Sequence, residues 1–342
     1  IYDGDMHSIS WNFDLGNIST AQNTRQYVAL FGRVGENAAI SNLRVYVTLQ
    51  GQTITGSTVS LLCYENYGTI NNIVLGAVNS TIQIETLHNI SVYGIAYTND
   101  GDISSVANYY NVDLRNTTSS VGTFANFALV GTNRGSVVCA ANYGDVSLVT
   151  TRTNSAGIVA TNNGTVQRSV FSGDATLSMA KDSRSDINFM FGGIVATNTS
   201  GTISYTYTQS NFNISRSAQS LNTYIYIAGL VASSNNGNIS SSYVNVNISA
   251  TSTIGQIDYI ATFVANISSV SNPTTTETTT NFSNQSTYSS VLGLGASNFA
   301  VAQYTTVPSG LRLNADQAYF TNNENDFPVL RWESEFNSLW QL

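Results

Sequence analysis

Ala156-Gly157-Ile158-Val159-Ala160-Thr161-Asn162-Asn163-Gly164-Thr165-Val166 reads as a short apolar strand that enters a Gly-containing turn and leaves it on a β-branched anchor. Beyond the anchor, Ser169, Phe171, Ala175, Leu177 and Met179 alternate with polar neighbours at period two, so two more strands follow. The turn and its anchor recur six times, as Gly68/Ile70, Gly101/Ile103, Gly135/Val137, Gly164/Val166, Gly201/Ile203 and Gly237/Ile239. Intervals between anchors are 33, 34, 29, 37 and 36 residues, the size of one supersecondary unit, so the core must come from stacking units on one another.

The inward ladder reads Ile40, Leu43, Val45, Val47, Leu49 in an early unit, then Ile103, Val106, Asn108, Tyr110, Val112, Leu114, and later Ile239, Ser242, Val244, Val246, Ile248. Helical spacing fits none of these runs. The fold class is therefore all-β: a right-handed parallel β-helix (β-solenoid) of about seven or eight three-strand coils with a C-terminal cap, its rungs ~4.8 Å apart. Asn66, Asn99, Asn133 and Asn162 each lie four residues before an anchor, and Asn198 and Asn235 join them if one residue is inserted at the turn. Stacked amides would form a hydrogen-bonded ladder, against the alternative of plain turn preference. The constant place of Gly68, Gly101, Gly135, Gly164, Gly201 and Gly237 predicts a backbone position with φ > 0.

Gly192-Gly193-Ile194-Val195-Ala196-Thr197-Asn198 with Gly201-Thr202-Ile203, and Ala228-Gly229-Leu230-Val231-Ala232 with Gly237-Asn238-Ile239, resemble the GLUG-type repeat of cell-surface and secreted β-solenoids, many of them adhesins. Asp3-Gly4-Asp5-Met6-His7-Ser8-Ile9-Ser10 is similar to the opening coil of such arrays, and Asp326-Phe327-Pro328-Val329-Leu330-Arg331-Trp332 to their closing segment. The resemblance implies an extracellular or cell-surface location and a non-enzymatic, adhesin-like or scaffolding role, with glycans or surface proteins as partners. Residues 1–265 read as the repeat array, 266–290 as a Ser/Thr/Asn-rich loop, and 291–342 as a final coil and cap whose Phe327, Trp332, Phe336 and Trp340 plug the exposed edge, all in one domain.

Composition bounds the role. Charged residues are 9% against about 25% in ordinary chains, and Asn, Ser and Thr make up about a third. Net charge is −8, lysine occurs only at Lys181, and no basic residue lies between Arg216 and Arg312, which excludes nucleic acid and attraction to an anionic membrane. No apolar run approaches the ~20 residues of a transmembrane helix, so this segment is not expected to insert. The chain opens at Ile1 inside a strand-like pattern, which is expected of a piece of a longer precursor. Cys63 and Cys139 fall two units apart, about 9.6 Å of stacking, beyond the ~7 Å limit for a bridge; both are expected as free thiols, Cys63 in a buried column with Ala96, Val130 and Val159.

Asn-x-Ser/Thr triplets occur at Asn17, Asn79, Asn89, Asn116, Asn163, Asn198, Asn213, Asn238, Asn247, Asn266, Asn281 and Asn284; composition alone would give about ten, so the count is not itself a signal of glycosylation. Asn213 lies between inward Phe212 and Ile214, and Asn247 between Val246 and Ile248, so both amides should face solvent. Among carboxylates, Asp100 and Asp102 flank a turn Gly, Asp145 follows another, and Asp182 and Asp186 sit beside Arg184, with no two expected in one column; a polysaccharide-degrading enzyme, which needs such a grouping, is therefore the weaker alternative. His7 and His88 are far apart in coil order, His7 reads as structural, and neither a metal nor a cofactor site is expected. Asn99-Asp100-Gly101-Asp102 and residues 322–326 read as solvated turns rather than calcium loops. Tyr109, Tyr110, Tyr205, Tyr207, Tyr224, Tyr226, Tyr243 and Tyr259 either form an outward contact surface or stabilise the sheets by stacking. A filament or sheath subunit, joined end to end or by its flanks, is the other alternative role.

Overall fold

A computed structural model describes residues 1–15, 26–50, 56–116, 124–180, 187–216, 223–235, 237–250, 258–261, 263–267, 281–284, 301–304, 320–323 and 326–341. Asn17, Asp182, Arg184 and Asp186 lie outside them, as do the side chains of Asn266, Asn281 and Asn284. The chain is a parallel β-solenoid. Eight strands, Gln26–Val34, Ser57–Asn66, Ile90–Asn99, Ala125–Asn133, Val159–Asn162, Val195–Asn198, Val231–Ser234 and Val264–Ile267, stack in that order as one face. The strands that follow each turn merge into a 17-stranded sheet around the rest of the coil.

The anchors form one column in parallel register: Ile40, Ile70, Ile103, Val137, Val166, Ile203 and Ile239, one per rung. All seven are buried, and they belong to a single continuous core. β-Branched side chains suit this position because each packs against its like one rung away on a pleated surface. Cys63 stands in register with Ala96, then Val130, then Val159, as expected.

Early coils hold three strands, such as Ile90–Asn99, Asp102–Asn108 and Asn111–Asn116. From Thr153 the first strand breaks in two, adding a four-stranded sheet of Thr153–Ala156, Ile187–Gly192, Thr223–Ala228 and Asp258–Ala261. The break falls at Gly157 and Gly193, where an added Cβ would overlap the carbonyl of Gly193 or Gly229 on the next rung. Within the stretch expected as loop, Asn281–Asn284 forms a strand between Tyr243–Ala250 and Val301–Tyr304.

The glycine expectation is corrected. None of the six turn glycines has positive φ. Their missing side chain serves a close approach instead: a Cβ on Gly101, Gly135 or Gly164 would overlap the carbonyl oxygen of the turn glycine one rung before, and one on Gly237 would overlap the Asn198 amide. Positive φ occurs two residues after each anchor, at Asn42, Asn72, Ser105, Cys139, Arg168, Tyr205 and Ser241. Each rung bends there, and most of these residues carry the roughly 1–2 kcal/mol cost of the left-handed region without glycine's exemption.

The C-terminal element is an α-helix, Arg331–Trp340, entered through the antiparallel pair Phe320–Asn323 and Asp326–Leu330. It does not plug the strand edge: it lies along the flank, across several rungs. Leu330, Phe336 and Trp340 pack on the outward column Val74, Ala107, Ala141, Val170, Tyr207 and Tyr243. Trp332 Nε1 donates to the Arg168 carbonyl at 2.8 Å and Trp340 Nε1 to Asn72 Oδ1 at 2.7 Å, so the helix spans the rungs of both residues. The reason is the outward column itself, apolar or small where other outward positions are polar, which would stay wet without a cover.

Candidate functional site

Four turns read Asn-x-Gly, at Asn66, Asn99, Asn133 and Asn162, a fifth reads Asn198-Thr199-Ser200-Gly201, and in all five the Asn side chain is buried in the coil. Asn66 Nδ2 donates to Asn99 Oδ1 at 2.7 Å, Asn99 to Asn133 at 2.8 Å, Asn133 to Asn162 at 2.8 Å and Asn162 to Asn198 at 3.0 Å. All five are fully buried. The same amides hold the turn, as Asn99 Nδ2 does with the Gly101 carbonyl at 3.1 Å. Asn198 extends the ladder, but Asn235 does not: Ser234 occupies its column, because the insertion that Asn198 tolerates places Asn235 one residue too late. Asn108 and Asn142 form a second, shorter ladder at 2.8 Å on the far side of the turn. Its signal was present in the sequence, since both residues sit five positions after an anchor.

Because the glycines carry no side chain, the turns stack into a groove of about 450 Å³ floored by backbone. Its rim carries Glu36, Tyr67, Asp100, Asp102 and Arg134, with the hydroxyls of Thr69, Ser136 and Thr165. Arg134 holds Asp100 from the next rung in a bidentate pair at 2.6 and 2.7 Å, and this contact raises the guanidinium's pKa further. Arg33 lies 4.2 Å over the Tyr67 ring and 4.0 Å from Glu65. Asp102 and Glu36 are exposed.

Three residues before Tyr67 begins a row of tyrosines. Tyr27 and Tyr64 have ring centroids 4.7 Å apart, and Tyr64 and Tyr97 5.0 Å apart at 22°. Tyr64 and Tyr97 stand in register, so their rings stack because their strands do, whereas Tyr27 pairs with Thr58 and its ring leans onto Tyr64 at 55°. Tyr27 is 54% exposed; Tyr64 and Tyr97 are half-buried. Partial burial, with Tyr27 alongside, raises the Tyr64 phenol's pKa, and burial pushes Tyr93 beneath the row up to about 12. The row ends at Gly131, where a Cβ would crowd the Tyr93 ring at 3.0 Å.

Among the tyrosines singled out from the sequence, the stacking alternative holds for Tyr207 and Tyr243, whose rings lie one rung apart at 4.9 Å and 2°. Tyr110 points into the core, where its hydroxyl accepts from Val47 N at 2.6 Å and donates to Val47 O at 3.2 Å. Tyr109, Tyr205, Tyr207 and Tyr243 seat the helix. Tyr207 and Tyr143 donate to the two oxygens of buried Glu333 at 2.8 Å each, and Leu330 N donates to Oε1 at 3.0 Å. Burial raises the Glu333 pKa against the opposing pull of those hydrogen bonds. Tyr224 and Tyr226 stack on the outside at 6.2 Å, and Tyr259 stands in register with Tyr226.

Asp145 does share a column with another carboxylate, contrary to expectation: Asp174 lies one rung on. Both are committed to the turns, since Asn111 Oδ1 accepts from Asp145 N at 2.9 Å, Asp145 Oδ1 from Asp174 N at 2.8 Å, and Asp174 Oδ1 from Asn211 N at 2.9 Å. No group of three or more His, Cys, Asp or Glu residues suited to a metal occurs among the described residues. His7 Nδ1 meets the Asp5 carbonyl at 2.8 Å and His88 is exposed. Cys63 and Cys139 are free and buried, and burial pushes their thiols up to about 12 and about 11.

The sequons divide by exposure. Asn79, Asn163, Asn213, Asn238 and Asn247 are exposed, and Asn213 and Asn247 do face solvent between buried neighbours. Asn116 and Asn198 are withdrawn as candidates: both are buried, with Asn116 Nδ2 donating to the His88 carbonyl at 2.9 Å and Asn198 in the ladder. Asn89 is half-buried and its Oδ1 accepts from Phe124 N at 3.0 Å.

No family model matches the chain, and comparison with curated proteins and with solved structures finds no match. No helix among the described residues is long and apolar enough to cross a membrane.

Proposed function

We propose that this chain is a non-enzymatic, extracellular or cell-surface scaffold of the adhesin kind, which holds glycan chains along its early coils. The observation that carries this reading is the row Tyr27, Tyr64 and Tyr97 beside the glycine-floored groove. The near-parallel faces of Tyr64 and Tyr97, one rung apart, offer stacking surfaces to successive sugar rings, with the tilted Tyr27 ring beside them. Carboxylates, a paired arginine and hydroxyls on the groove rim offer acceptors and donors for sugar hydroxyls, which fix orientation more than they add affinity. The resemblance of the repeats to GLUG-type arrays points the same way. Glycan-array binding by the wild-type protein, lost in Tyr64→Ala and Tyr97→Ala variants that keep the far-UV spectrum, is the expected result. Turnover of a bound polysaccharide that disappears in Asp102→Asn would replace this reading with an enzymatic one.

A filament subunit is the second reading. It is favoured by the first strand, Tyr2–Asp14, which among the described residues pairs on one edge only and leaves Ile9, Trp11 and Phe13 only partly buried. An open edge of this length is a template for another strand. Concentration-dependent polymers in electron micrographs would support it.

A further inference from the structure

We propose that a second site, independent of the tyrosine row and the glycine groove, lies where the C-terminal end of the helix meets the first strand, and that it takes a carboxylate-bearing sugar. A cavity of about 400 Å³ opens there, lined by Met6, His7, Ser8, Arg44, Tyr46 and Trp340 among others. Its volume falls at the small end of ligand pockets, ~300–1,000 Å³. No carboxylate of the described residues lines it, although the chain as a whole carries net charge −8.

Arg44 sets the chemistry of this cavity. Arg33, Arg115 and Arg134 each face a carboxylate. Arg44 faces none among the described residues: its Nη2 reaches the Trp340 carbonyl at a long 3.4 Å, and its Nε is buried with no hydrogen-bond partner. Nε is closed off from the cavity, but the side chain is only half-buried, and a carboxylate is the group whose two oxygens fit the end of that planar guanidinium. The cation is held in place without such a partner, because it lies 5.4 Å over the Trp340 ring.

The remaining walls suit a sugar body. Trp340 is buried in the wall and fixed by its Nε1 bond to Asn72, and half-buried Tyr46 supplies the aromatic surface for the C–H face of a pyranose. His7 is fixed through Nδ1 to the Asp5 carbonyl, and Ser8 adds a hydroxyl. Rings held before the ligand arrives need not be ordered by it. The plain alternative is that Arg44 only neutralises the helix C-terminus, where cations are favoured. That alternative predicts stability without ligand binding.

The test is titration with glucuronate, followed by tryptophan fluorescence, with glucose, glucuronate methyl ester and acetate in parallel and Trp340→Phe to identify the reporting ring. A saturable change is expected with glucuronate alone, absent in Trp340→Phe and weakened about tenfold or more in Arg44→Met, in line with the loss of one charge-assisted pair. If Arg44→Met does not fold, Arg44→Lys decides, and it is expected to bind more weakly than the wild type despite the retained charge. No saturable change with glucuronate, an equal response to glucose or to acetate, or undiminished binding by the folded arginine variant would each overturn the site. Loss of binding at the tyrosine row leaves this result unaffected, since the two sites share no residue.

Discussion

Replacing Asn99 by Ala removes the centre of the amide ladder, and the structure sets the size of the effect. Asn99 Nδ2 donates to Asn133 Oδ1 at 2.8 Å and to the Gly101 and Ser136 carbonyls at 3.1 Å each, while its Oδ1 accepts from Asn66 at 2.7 Å. After truncation the Asn133 oxygen loses its ladder donor, and the Asn66 amide keeps only longer contacts, 3.3 Å to the Gly68 carbonyl and 3.4 Å to that of Asp102. Two buried groups are thus left short of partners, at ~1–3 kcal/mol each, so Asn99→Ala should cost about 2–6 kcal/mol. Asn198 ends the ladder and has one amide neighbour, so Asn198→Ala should cost about half as much. The assay is equilibrium urea unfolding of both variants, with amide exchange to locate the loss in coils adjacent to the substitution. If Asn99→Ala costs under about 1 kcal/mol, or no more than Asn198→Ala, the column is a row of independent turn caps and the reasoning fails.

Gly135→Ala should destabilise by about 1–3 kcal/mol, because its Cβ would meet the Gly101 carbonyl, and unfolding midpoints of the two proteins measure this. Ser105→Gly should instead stabilise by about 0.5–1 kcal/mol, since relief at φ 54° exceeds the added entropy of the unfolded chain; a lower unfolding midpoint would contradict it. Glu333 has a folded pKa above its ordinary 4.5, so its contribution is fully present below that value and is lost as pH rises through the folded pKa. Glu333→Gln should abolish that pH-dependent loss, as read by thermal unfolding of both proteins across mildly acidic to neutral pH. In protein made through a eukaryotic secretory route, peptide mapping after amidase treatment should find Asn213 and Asn247 modified and Asn116 and Asn198 unmodified, because only the first two present their amides to solvent.

The repeat carried the fold and most of the turn chemistry into view. Reading Ile103, Val137 and Val166 as the same turn-and-anchor pattern, 34 and then 29 residues apart, is equivalent to reading one column, since each rung contributes one residue to it. The Asn66 to Asn198 ladder was legible for the same reason, and Asn235 failed because a one-residue slip moves a side chain out of its column. The candidate sites were far less visible. Tyr27, Tyr64 and Tyr97 fall on the strand before the turn, where period two is lost in buried runs such as Val59 to Cys63, and a register shift between Ala29 and Phe31 sets Tyr27 off the Tyr64 column. Glu333 meets Tyr143 and Tyr207 from 190 and 126 residues away, a distance over which no spacing rule applies.

Residue order alone, then, determined that like stands above like: which side chains fill the interior, where each turn falls, and that the two thiols stay apart. Only the tertiary structure decided why the turn residues are glycines, which rung position is left-handed, and that the last helix covers the flank rather than the end. The physical reason is that columns are a property of a period along one chain. Close approach of carbonyls, the cover on an outward apolar face, and an arginine left without a carboxylate are properties of surfaces brought together from far apart, and they exist only once the coil is wound.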